Sequence, residues 1–333
     1  MTASSRVRVI AEAAQGFEGN ERLALLLVRA AKAGNADVVK FQLVFADELA
    51  TKDYPYYDLF RSLEMPEDAW ARVAGAAASD GLELAFDVFG ERSLHLALQL
   101  GASGVKLHAS DFFNGPLIAA AFARAPHVYL SIGGMEYDDV ARVLDANPID
   151  DGRLTLMFGF QGEPTGIDDN HIARLAAIRE RFPRVRLGFM DHADGTSDEA
   201  SWLGVMAVAY GVQAIEKHVT AERSLQLEDW VSAVDAPELA LYVSRIRAAE
   251  RALGNPALEL SAPERAYGQR ALKMVVARHA IAEGSTVGPD DVVALRAPVD
   301  AERTVLRVTI AAIGRRALRP VAAGRPIYTE DLG

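Results

Sequence analysis

From residue 7 to about residue 254 the chain alternates short β-branched apolar runs with longer Ala/Leu/Arg stretches of helical period. VRVIAE at 7–12 precedes a helical stretch at 21–34. DVVKFQ at 37–42 is followed by a long loop carrying Tyr54-Pro55-Tyr56-Tyr57 and then a helix at 66–80. Strand-like runs at 82–89, 104–108 and 127–132 precede helical stretches at 91–100, 115–124 and 136–146. Runs at 154–160, 186–190 and 212–219 precede helices at 168–182, 197–210 and 237–253. Eight βα units in ~250 residues predict a TIM (β/α)8 barrel. An open doubly wound sheet uses the same local alphabet, but no G-x-G-x-x-G follows the first strand.

Beyond residue 254 the texture changes. Asn255-Pro256 and Ser261-Ala262-Pro263 mark a linker, after which short strand-like pieces alternate with Gly and Pro. The reading is a barrel at 1–254, a linker at 255–270 and a small β-rich domain at 271–333. Composition narrows the function classes. The chain has 333 residues and a net charge of −11, so non-specific nucleic-acid binding is disfavoured. No apolar run approaches the ~20 residues of a membrane span, and residues 1–6 lack a signal-peptide core; a cytoplasmic protein is expected. Cysteine is absent, which excludes disulfides, zinc–thiolate sites and cysteine nucleophiles. Only six of the 35 basic residues are lysine, so a lysine at a strand end is informative.

Barrel enzymes do their chemistry at the C-terminal ends of the strands. Those ends carry Glu12, Lys40 and Gln42, Lys106 and His108, Ser131, Gln161, Asp191 and His192, and Glu216 and His218. Hydrophobic packing does not require such a set. Strand alternation puts Lys40 with Gln42 and Glu216 with His218, leaving Lys217 facing the other way in a barrel-to-helix ion pair. Strands seven and eight are neighbours, so His192 and His218 can reach one cation, and barrel closure brings Glu12 to the same spot. Imidazole and carboxylate without thiolate suit Mn²⁺, Fe²⁺, Co²⁺ or Zn²⁺. Two lysines converging on a polar mouth suit a phosphate or carboxylate. His95 and His171 on helices, and His127 at the opposite barrel end, read as surface residues.

These residues, in this order, resemble the sialic acid synthase family, which makes nonulosonic acids from phosphoenolpyruvate (PEP). The motifs are IAEA…GN (10–20), AGNADVVKFQ (33–42), GVKL (104–107), NGPLI (114–118), LSIGGM (130–135), GFQGEPT (159–165), LGFMDHADG (187–195) and AIEKHVT (214–220). The tail is similar to the family's antifreeze-like (SAF) domain, with LRAP at 295–298. The resemblance implies a divalent metal, usually Mn²⁺, on His192 and His218. It places PEP on Lys40 and Lys106, the sugar on Gln42, and proton and water handling on Glu12. Ser131, Gln161, Glu163 and Asp191 complete the expected substrate contacts. A homodimer with swapped tails is implied, in which Arg296 of one chain reaches the N-acyl sugar in the other barrel.

The chain departs from the family's text at Gly16-Phe17, Asp87, Ala109, Gln161, Glu163 and Met190, several of which match positions that touch PEP or its phosphate. The leading expectation is a metal-dependent synthase condensing PEP with the open-chain aldehyde of an N-acylated hexosamine-type sugar and releasing phosphate. Alternatives are a metal-dependent aldolase or other C–C bond enzyme that does not use PEP, and a non-catalytic sugar-acid binding protein. Phosphate release separates the first two, and turnover separates both from the third.

Overall fold

The structure is a computed structural model that describes residues 6–149, 152–162 and 164–333. Eight parallel strands close into a barrel in sequence order: β1 (Arg8–Ala14), β2 (Val38–Gln42), β3 (Glu83–Val88), β4 (Gly104–Leu107), β5 (Val128–Ser131), β6 (Leu154–Phe158), β7 (Arg186–Asp191) and β8 (Ala214–His218). β1 closes on β8 with Glu12 opposite His218. The TIM barrel expected from the βα count is the fold observed.

Outward-facing strand residues pack against the surrounding helices. Phe17, Phe41, Trp70 and Phe86 form an edge-to-face cluster with neighbouring centroids 5.1–6.1 Å apart. The departure at Phe17 is thereby explained: its ring belongs to the apolar layer between barrel and helices. Inside, Ile10, Val38, Ala85, Tyr129, Met157, Met190 and Ala214 form a second, smaller apolar cluster.

Two helices start later than their periodicity suggests. The stretch expected to be helical at 168–182 begins as a 3-10 turn, Ile167–Asp169, and the α-helix is Arg174–Arg181. His171 between them has φ 43°, a left-handed conformation that interrupts the helix. The stretch at 197–210 is likewise reduced to Leu203–Ala209, because Trp202 at φ −139° falls outside helical geometry. His127 is a correction. It is buried at the foot of the barrel, with Nε2 2.9 Å from Thr155 Oγ1 and its ring 4.7 Å from Tyr129.

A second compact unit spans Pro256–Gly333. The stretch expected to be a linker holds a helix, Ala262–Ala271, because Ser261 and Glu264 form a reciprocal capping box at its start. Beyond it, β9 (Met274–Ala277) and β10 (Val292–Leu295) pair antiparallel, and isolated bridges such as Ile281–Val321 extend the small β-rich arrangement. Its core includes Val275, Ile281, Val287, Val292 and Ile327.

Candidate active site

Alternation aims every second strand residue into the barrel. Above the interior apolar cluster this produces a layer of buried charge: Glu12 on β1, Lys40 on β2, Asp87 on β3, Lys106 on β4 and Glu216 on β8. Lys40 Nζ is ion-paired to Glu12 Oε2, lies 2.5 Å from Asp87 Oδ2 and 3.6 Å from Glu216 Oε2. Lys106 Nζ lies 2.5 Å from Glu216 Oε1 and 4.0 Å from Asp87 Oδ1. Burial lowers the Lys40 pKa against the upward pull of Asp87 and Glu216. At Lys106 burial also opposes the charge, but Asp87 and Glu216 outweigh it and the net shift is upward. Burial pushes the Glu216 carboxyl up, and the two ammonium groups more than reverse this, lowering it to about 2. Three carboxylates thus share two lysines.

Glu12 is positioned by its own strand. The β1–β2 register slips between Glu12 and Ala14, a bulge in which Ala14 adopts φ 45°. That turn aims the Ala14 N–H at Glu12 Oε1, 2.7 Å away. With one oxygen on the backbone and the other on Lys40, Glu12 does not join the histidines, contrary to the expectation from barrel closure. Among the described residues no group of three His, Asp or Glu side chains is arranged to hold a metal.

The histidines do meet. The His192 and His218 rings lie 5.2 Å apart between centroids, and both residues are buried. Their backbones are fixed from outside, His192 O accepting from Ser232 Oγ at 3.0 Å and His218 O from Val234 N at 3.0 Å. Burial drives the His192 pKa well below the ordinary value, helped by His218. Burial lowers that of His218 as well, with Asp229 the main opposing charge. His192 Nδ1 is buried without a hydrogen-bond partner. Two adjacent neutral imidazoles, one with an orphaned nitrogen, fit a divalent cation.

These groups line a cavity of about 350 Å³ at the barrel mouth. Glu12, Lys106, Asp87, Glu216, His192 and His218 all reach it, as do Gln42, Ser131, His108 and Gln161. Lys40 does not line it and is fully buried, sealed beneath its carboxylate partners. Gln42 Oε1 accepts from Gln15 Nε2 at 2.7 Å. Gln161 Nε2 donates to Asp229 Oδ1 at 2.6 Å. The wall between β5 and β6 is made of glycine because backbones touch there. A Cβ on Gly133 would sit 2.0 Å from Gly159 O, and Gly159 itself adopts φ 125°. Ala109 and Met190 line the cavity with apolar groups.

One expected contact is not brought to the mouth, and one falls outside the described residues. Asp191 is a correction: one residue before His192, it faces outward, where Oδ1 takes Lys217 Nζ at 3.0 Å and Ala193 N at 3.1 Å and Oδ2 takes Tyr242 OH at 2.8 Å. Lys217 therefore pairs with the neighbouring strand rather than with a helix; the helix Ala236–Leu253 supplies the Tyr242 hydroxyl. Arg296 is exposed at the end of β10 in the second unit, its Nε donating to Ala271 O at 3.0 Å. Glu163 lies outside the described residues. Asp87, Glu216 and Asp229 were absent from the expected contacts. Glu216 shares a strand face with His218, which period-2 counting detects; Asp87 stands in register between Gln42 and Lys106 on the neighbouring strands, and Asp229 lies in a loop and carries no such signal.

The model of the NeuB family matches residues 27–257, and that of the SAF domain matches residues 273–333. The chain is 26% identical over 308 residues to the N,N'-diacetyllegionaminic acid synthase of Legionella pneumophila, covering 86% of this chain and 85% of that protein. It is 24% identical over 295 residues to the human N-acetylneuraminate-9-phosphate synthase, covering 85% and 81%. In fold it is similar to the N-acetylneuraminic acid synthetase of Leptospira borgpetersenii crystallised with citrate, with a TM-score of 0.73 at 23% identity over 79% of this chain and 90% of that one. The catalytic-barrel match spans more than half the sequence, and the chain belongs to the NeuB family, with a SAF domain at its C-terminal end.

Proposed function

We propose that the barrel condenses PEP with the open-chain aldehyde of an N-acylated hexosamine-type sugar, releasing phosphate and a nonulosonic acid. The observation that carries this reading is a cavity that combines a lysine–carboxylate layer with two adjacent imidazoles. Relatives named as legionaminic and N-acetylneuraminate-9-phosphate synthases support it.

His192 and His218 are the residues that would hold a divalent cation, Mn²⁺ by family resemblance. Bound there, the cation supplies Lewis-acid polarisation of the sugar aldehyde. The remaining work belongs to side chains. Lys106, at the cavity wall, and Lys40 beneath it neutralise the carboxylate and phosphate of PEP, with Ser131 beside them. C3 of PEP forms the new bond to the aldehyde carbon, positive charge develops at C2, and the alkoxide left at the old aldehyde oxygen takes up the proton that water releases through Glu12. Water adds at C2 and gives its proton to Glu12, whose carboxylate is held in place by Ala14 N–H. The C2–O bond to phosphate then breaks, leaving a 2-keto acid. Gln42, with its carbonyl oxygen engaged by Gln15, presents its amide N–H groups to acceptor atoms of the sugar. Arg296, exposed on the second unit, serves the barrel of a second copy in a homodimer.

The test is incubation of the metal-loaded protein with PEP and a panel of N-acyl hexosamines, including bacillosamine-type sugars. Phosphate is followed by colorimetry and product by mass spectrometry. Phosphate equal to product supports the reading. Product without phosphate supports the second reading, an aldol addition that does not use PEP, which the hold of Asp87 on both lysines favours.

A further inference from the structure

Asp87 stands where an anionic substrate has to arrive. Its side chain is 1% exposed, yet it lines the cavity. Oδ2 lies 2.5 Å from Lys40 Nζ, and Oδ1 faces Lys106 Nζ at 4.0 Å without a hydrogen-bond partner. The register explains the placement: Asp87 is paired with Gln42 on one side and Lys106 on the other, at the level where β2, β3 and β4 open into the mouth. Glu12 and Glu216 already neutralise both lysines from β1 and β8. A third carboxylate is therefore not needed for charge balance, yet it lines the cavity beside Lys106 while holding Lys40, which does not reach the cavity.

We propose that Asp87 is a resident anion. It occupies the lysine pair in place of an incoming phosphate or carboxylate, so the site admits such a group only by exchanging one anion for another. Asp87 acts through Lys40 and Lys106 and is a positioning residue. Its consequence is selective: free phosphate, which has only its own charge to offer, binds poorly. A substrate anchored by other contacts as well still displaces the carboxylate. After turnover the same exchange expels inorganic phosphate. The inference builds on the proposed PEP chemistry, but its test uses inorganic phosphate and does not require turnover.

Inorganic phosphate is titrated into the full-length protein by calorimetry. The wild-type chain is expected to bind with Kd at or above about 1 mM. Asp87→Asn and Asp87→Ser, with unchanged thermal melting profiles as the check on folding, are expected to bind at least about tenfold more tightly, because the competing negative charge beside the lysine pair is gone and a Lys40 hydrogen bond is freed. Asp87→Glu restores weak binding, and in a Lys106→Met background the gain from Asp87→Asn shrinks. A purely structural role predicts the opposite sign, since loss of a buried partner disorders the lysines and weakens phosphate. Micromolar phosphate binding by the wild-type chain overturns the inference, as does unchanged or weaker binding in folded Asp87→Asn or Asp87→Ser. If phosphate affinity rises as expected while the sugar panel yields no product, the synthase reading fails and the resident anion stands. If product forms with phosphate and affinity does not rise, the reverse holds.

Discussion

Lys106 on β4 donates to Glu216 on β8 at 2.5 Å, an ion pair that crosses the barrel between opposite strands. Both residues are buried, and removal of Lys106 leaves three buried carboxylates to share Lys40 alone. Lys106→Met is therefore expected to lower unfolding free energy by about 3–5 kcal/mol in urea titrations while weakening PEP binding by about tenfold or more. Lys40→Met is expected to do the same, with metal affinity affected far less in both. Unchanged PEP titration in both variants would make the lysines purely structural.

The histidine pair carries the metal expectation. His192→Ala and His218→Ala should each abolish stoichiometric Mn²⁺ binding measured by paramagnetic resonance, and turnover with it. Both side chains lie at the mouth rather than in the apolar layers, so the circular dichroism spectrum should be retained. Full activity after exhaustive chelation would contradict this assignment.

Asp191 separates a structural carboxylate from a functional one. It holds Lys217 and the Tyr242 hydroxyl behind the barrel wall, where burial and Asp191 keep the tyrosine pKa well above its usual value. Asp191→Asn leaves Lys217 buried without a counter-charge, and a stability loss of about 3 kcal/mol or more is expected. KM for PEP should not change. A large KM effect with unaltered stability would return Asp191 to the substrate contacts.

His127 sets a pH dependence of stability at the opposite end of the barrel. Burial, with Arg186, Arg8 and Arg153 nearby, lowers its pKa from 6.5 to about 4. Between those values the unfolded chain binds a proton that the folded chain does not. The contribution is present above pH 6.5 and is lost as pH falls towards 4. Moving from pH 7.5 to pH 5 should remove about 2 kcal/mol through this residue alone. His127→Gln should flatten the wild-type pH dependence by that amount in denaturant titrations.

How much of this was legible depended on whether a residue's fate is decided by strand periodicity or by competition among partners. Eight apolar runs, each followed by a helical stretch, specify the barrel because buried parallel strands need no alternation cue. Period-2 counting places Lys40, Lys106, His192 and His218 inside, and the same counting turns Asp191 outward once His192 is inside. Glu12 was harder. Its proximity to His218 follows from barrel closure, but its choice of Lys40 depends on a one-residue bulge that no local pattern announces. The helix Ala262–Ala271 was legible in the Ser261–Glu264 box, although Pro256 and Pro263 read as a linker. His171 illustrates the limit of helical periodicity, since one left-handed residue shortens the helix without altering the apolar spacing.

In the proposed reaction water adds to C2 of PEP and intact phosphate leaves once the new carbon–carbon bond has formed. Turnover in H₂¹⁸O, with product and phosphate analysed separately by mass spectrometry at early times, tests it most directly. Unlabelled phosphate is expected in amounts equal to product, with ¹⁸O at the product's C2 oxygen. Label in the phosphate, or product formed without phosphate, would contradict it.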